Sequence, residues 1–104
     1  MPRRKGEIDV SEVDILDGSQ EFVRMWYGED GGATCLVEPR NLDPDPFIFG
    51  LVMVDCIKHG AKAYARALGI GETEALTRIF EGFDAERHYP SDEPREISPT
   101  RKLN

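Results

Sequence analysis

From Phe47 to Val54 the chain runs through apolar side chains broken only by Gly50, and no other stretch is so continuously apolar. The pattern then changes. Asp55, His59, Lys62 and Arg66 recur every three to four residues, while Met53, Ile57, Gly60, Tyr64 and Leu68 fall on the opposite side of a helical wheel. This spacing predicts one helix over residues 46–68. Asp45 can cap its free N–H groups, and Pro46 loses nothing at the first helical position. Gly69 and Gly71 supply the stop. The first half is apolar all round and needs cover on every side. It is too short for a bilayer, which takes ~20 residues, so the cover must be protein.

Before this helix, EFVRMWY (21–27) and ATCLVEP (33–39) are rich in aromatic and β-branched residues. Asp30-Gly31 between them is a hairpin signal. A two-residue turn there would set Trp26 opposite Cys35, Arg24 opposite Val37 and Tyr27 opposite Thr34, with Gly28 and Gly32 leaving room for a slip by one. Pro39 ends the second strand, and RNLDPD (40–45) links it to the helix. After Gly71 a second helix is predicted from Glu72 to about Tyr89, with Leu76, Ile79, Phe80 and Phe83 as its apolar stripe. Three connecting residues favour an antiparallel helix pair.

The expected fold class is therefore α+β: a β-hairpin followed by two antiparallel α-helices, the longer packed under the sheet. Residues 19–89 form the single domain. Residues 1–18 read as a weakly ordered arm, a loose strand at most, and 90–104 as a disordered or extended tail. Two strands alone make a marginal sheet, and the start of the helix lacks cover on one side. Each large apolar side chain left wet forgoes about 1.5–3 kcal/mol. Both points predict a homodimer that completes the sheet or the core.

Charge narrows the function. The 104 residues hold 20 acidic and 13 basic side chains, a net charge of −7, which disfavours nucleic acid as a partner. No membrane span is predicted. Arg3-Arg4-Lys5 has no apolar run behind it, and Cys35 and Cys56 sit in apolar surroundings as buried thiols, so a reducing, cytoplasmic location is expected.

Candidate chemistry is sparse. Asp55 and His59 stand four apart on the first helix, and Asp84 and His88 repeat the spacing on the second. Carboxylates and imidazoles from two helices can hold a transition metal. Asp55, His59, Glu86 and His88 are thus the candidate ligands, although neither helix carries an established metal motif. A solvated face with local pairs from Asp55 to Lys58 and His59 explains the same residues. GEDGG (28–32) suits a turn better than a phosphate, because Glu29 and Asp30 would repel one. No serine sits in a nucleophile elbow, and Cys56 near His59 has little else to support catalysis. Arg24, Trp26 and Tyr27 place a cation and two aromatics on one hairpin, a combination common at interface hot spots.

The run Glu21-Phe22-Val23-Arg24-Met25-Trp26, then Asp45-Pro46 with Phe49-Gly50, Asp55-x-x-Lys58-His59 through Ala63-Tyr64, and Phe83-Asp84-Ala85-Glu86 resembles a family of short bacterial proteins known only as a domain of unknown function. The resemblance spans roughly residues 20–87. Tryptophan commonly stands at Phe49 and arginine at Lys58 in that pattern, both mild departures. It implies no activity, substrate or cofactor. It does single out Arg24, Trp26, Asp55, His59, Asp84 and Glu86 as a ligand or partner surface, beside Tyr27 from the hairpin. The expected function is a non-enzymatic, dimeric binding or accessory module without cofactor, taking a protein or small molecule as partner. The alternative is a metal-binding protein or metal-dependent enzyme using Asp55, His59 and Glu86.

Overall fold

Asp45 turns the chain into its longest helix. In the computed structural model, which describes residues 4–90 and the strand Arg95–Glu96, its carboxylate accepts the Phe47 N–H at 3.0 Å, and α1 runs from Pro46 to Leu68. Gly69 stops it in the left-handed conformation (φ 70°), its N–H bonded to Ala65 O at 2.9 Å. α2 follows as Glu72–His88, with Glu72 and Glu74 at its positive end and Arg87 and His88 at its negative end. The two helices pack side by side. Ala61 of α1 and Ala75 of α2 are the most buried residues, 1% and 3% exposed. Small side chains bring the helices close: a β-carbon on Gly60 would stand 3.9 Å from Ile79 Cδ1. Lys62 Nζ and Glu72 Oε2, 3.1 Å apart, tie the helices across the turn.

The hairpin forms with a register one residue away from a two-residue turn. β1 (Val23–Tyr27) and β2 (Ala33–Val37) pair antiparallel with Arg24 opposite Leu36, Trp26 opposite Thr34 and Tyr27 opposite Ala33. Gly28 N–H donates to Gly32 O at 2.7 Å, so the ladder extends one rung further and the loop shrinks to Glu29, Asp30 and Gly31. Gly31 takes φ 87°, which glycine adopts without strain, and its N–H closes the turn onto Gly28 O. Asp30 Oδ1 accepts the Gly32 N–H at 2.9 Å. The glycines on both sides of Glu29-Asp30 permit this longer closure.

The sheet has a third member. β3 (Arg95–Glu96) lies parallel to β2, pairing Arg95 with Thr34 and Glu96 with Cys35, in the order β1-β2-β3. The rest of the expected tail beyond Pro90 lies outside the described residues. Between residues 4 and 22 the chain makes turns and a short 3-10 segment, Asp14–Gly18, and no strand.

The sheet does not lie along α1. No strand backbone comes within 8 Å of either helix, Cα to Cα, among the described residues. Contact is made at the root of the hairpin, where Phe22 stands edge-on against Phe49, ring centroids 6.2 Å apart. The linker explains this: Glu38 N–H bonds back to Phe22 O, and Asn41 Nδ2 reaches Glu21 O at 2.8 Å, which fixes the exit from β2 next to the entrance to β1.

Candidate functional site

Side chains alternate across the hairpin, and the observed register sorts them. Arg24, Trp26, Thr34 and Leu36 share one face; Val23, Met25, Tyr27, Ala33, Cys35 and Val37 share the other. Arg24 and Trp26 therefore stand together, and Tyr27 points away from both. Trp26 is half-buried, whereas Arg24 is exposed and Tyr27 is 82% exposed. Within β1 and β2 the face carrying Tyr27 has no charged residue, and Met25 on it is 63% exposed.

Arg24 is held at the root of the hairpin. Its Nε donates to Glu21 Oε2 in a salt bridge of 2.6 Å. That hydrogen bond lowers the Glu21 carboxyl below its ordinary range and raises Arg24 in turn. Both groups are more than half exposed, so the pair contributes little to stability. At the other strand end Arg40 grips Glu38 through Nε and Nη2 at 2.7 and 2.8 Å, and its own backbone N–H adds a third bond at 3.1 Å. These bonds hold the Glu38 carboxyl down at about 2. Phe22, Val23 and Leu36 line a shallow groove between these two ion pairs.

The helical candidates do not converge. Asp55, Lys58 and His59 are all exposed, and no hydrogen bond or salt bridge joins Asp55 to either neighbour. On α2, His88 Nδ1 meets the backbone oxygen of Asp84 at 2.7 Å. The Asp84 carboxylate is instead 3.7 Å from Arg87, whose guanidinium also sits 5.7 Å above the Phe83 ring. Among the described residues no three His, Cys, Asp or Glu side chains gather where they could hold a metal ion. Cys56, expected in the core, is exposed, because it lies away from the side of α1 that meets α2; Cys35 is half-buried. No helix among the described residues is long and apolar enough to cross a membrane.

A feature the sequence reading missed lies at the closed end of the helix pair. Tyr64, Leu68, Ile70, Ala75 and Ile79 line an apolar groove of about 260 Å³ with Arg78 at its rim. Arg78 is engaged by Glu81 at 2.8 Å. The signal was present in Tyr64 and Leu68, four apart, facing Ala75 and Ile79, four apart on the neighbouring helix.

None of the curated proteins matches the chain. A solved structure from the photosynthetic bacterium Rhodopseudomonas palustrus CGA009, described as a proposed pyruvate dehydrogenase, is similar over 92% of this chain and 96% of its own, with 31% sequence identity and a TM-score of 0.65. The profile of the domain of unknown function DUF5076 matches residues 12–91. The run of motifs from Glu21 to Glu86, the hairpin and the helix pair all lie within that match: the chain belongs to the DUF5076 family.

Proposed function

We propose that this protein is a non-enzymatic binding module that works as a homodimer. The carrying observation is the apolar surface left uncovered. Phe47, Leu51, Tyr64 and Leu68 on α1 and Met25 and Tyr27 on β1 are each at least half exposed, and the only fully buried apolar residues among those described are two alanines. A contiguous apolar patch beyond a few hundred Å² marks an interaction surface. The candidate side chains support binding rather than catalysis: they are distributed over three elements, β1, α1 and α2.

The dehydrogenase description of the Rhodopseudomonas structure finds no counterpart in the turn and groove of the described residues. Oxidising a 2-oxo acid requires a cofactor that takes up the electrons of the broken bond, held by a site that binds its phosphates. Here the glycine-rich turn carries Glu29 and Asp30, and the helix-pair groove is apolar and open.

Sedimentation equilibrium tests the reading. A dimer is expected at micromolar concentration; a monomer at high micromolar concentration, retained after deletion of residues 1–18, rejects it. Metal analysis of untagged protein tests the rival. Stoichiometric zinc, iron or manganese that is lost on His59→Ala overturns the non-enzymatic reading.

A further inference from the structure

The two helices differ in length. α1 has 23 residues and α2 has 17, so at 1.5 Å per residue α1 overhangs its neighbour by about 9 Å. Because Gly69–Gly71 joins them at the other end, the overhang is the N-terminal end of α1, its most apolar part. Phe47, Leu51 and Val54 fall at i, i+4 and i+7, a single stripe, and are 67%, 51% and 39% exposed. Further along the same line Ala61 is 1% exposed under α2. Val54 and Lys58 lie within the length that α2 spans and are still exposed, so the stripe is bare from Phe47 through Lys58 and covered at Ala61. Lys58 is without a hydrogen bond or salt bridge among the described residues. At the bare end the chain enters the helix through Asp43 and Asp45.

We propose that a second copy of this chain covers the overhang, the two α1 helices packing antiparallel across a two-fold axis between Leu51 and Val54. The inference rests on the homodimer reading and adds its seam. About that axis Leu51 of each copy meets Val54 of the other, and Phe47 lies beneath the aliphatic stem of the other copy's Lys58. The Lys58 ammonium then reaches the acidic end formed by Asp43 and Asp45, and the two-fold axis makes every contact twice. The sheet face with Met25 and Tyr27 has no basic residue on β1 or β2 and so offers no such charge match to itself.

Sedimentation equilibrium of the full chain separates the possibilities. Leu51 is half exposed, so Leu51→Asp is expected to keep its far-ultraviolet circular dichroism while the dimer dissociation constant rises by ~100-fold. Met25→Lys leaves that constant within about threefold. Lys58→Glu weakens the dimer by about tenfold, and Asp43→Lys with Lys58→Glu recovers most of the loss. A folded Leu51→Asp variant that remains a dimer overturns the seam, the more so if Met25→Lys breaks the dimer; either result leaves the homodimer intact. A wild-type monomer at every concentration removes seam and homodimer together. Should Leu51→Asp unfold, the charge-swap pair decides, and failure of the double variant to recover overturns the antiparallel arrangement.

Discussion

Phe22 and Phe49 meet edge to face, ring centroids 6.2 Å apart and planes at 83°, and this contact joins the hairpin to the helices. Edge-on geometry sets the positive rim of one ring against the negative face of the other. Neither ring is fully buried, so the contact couples two units that otherwise stand side by side.

A double-mutant cycle measures that coupling. Phe22→Ala and Phe49→Ala should each destabilise the protein in urea, and the double variant should lose less than their sum by about 0.5–1.5 kcal/mol. Strict additivity would show that the rings do not communicate.

Gly69 is the sharper test of the helix pair. A side chain there meets no atom within 4 Å, so only its left-handed backbone resists substitution. Gly69→Ala should cost about 1–2 kcal/mol; an unchanged urea midpoint would mean that the chain leaves α1 by another path.

At the start of α1 the capping bond from Phe47 N–H to Asp45 stands alone in the first turn's side-chain bonds. Asp45→Ala should lower stability by ~1 kcal/mol, and Asp45→Ser should restore most of it. Equal losses in both variants would remove the cap as the cause.

Acid should loosen the strand exit. Arg40 holds the Glu38 carboxyl at about 2, below its ordinary value of 4.5. A depressed carboxyl contributes stability that is present above the unfolded value and is lost as pH falls through the folded one. The window is therefore from about 4.5 down to about 2. Carboxyl carbon NMR should find Glu38 titrating last among the glutamates, and Glu38→Gln should flatten the stability loss in that window. A Glu38 that titrates with the exposed glutamates would contradict the geometry.

Helix bounds were legible because their signals are local: Asp45-Pro46 and Gly69 act on the residues beside them. The hairpin register was not, since glycines at 28 and 32 let the same turn close at two lengths, and only the Gly28–Gly32 bond distinguishes them. Arg95–Glu96 gave no sign of a strand, because two charged residues have no alternation and their partners are distant in sequence. The candidate residues were found as a set but not as a site. Helical spacing placed Asp55 beside His59 and Asp84 beside His88, yet spacing alone does not aim one helix's side chains at another's.

The parallel pairing of Arg95 and Glu96 with β2 also orders the folding of the chain. β1 meets β2 across a three-residue loop and α1 meets α2 across another, so both hairpins close from neighbours and form early. The third strand must bring together segments roughly sixty residues apart, at the greatest loop-closure cost of any contact in the sheet. On a ribosome Arg95 and Glu96 also emerge well after Thr34 and Cys35. The outer edge of β2 therefore stays unpaired until the chain has grown past Glu96, and that interval is when a growing chain is most open to pairing with a neighbour's strand.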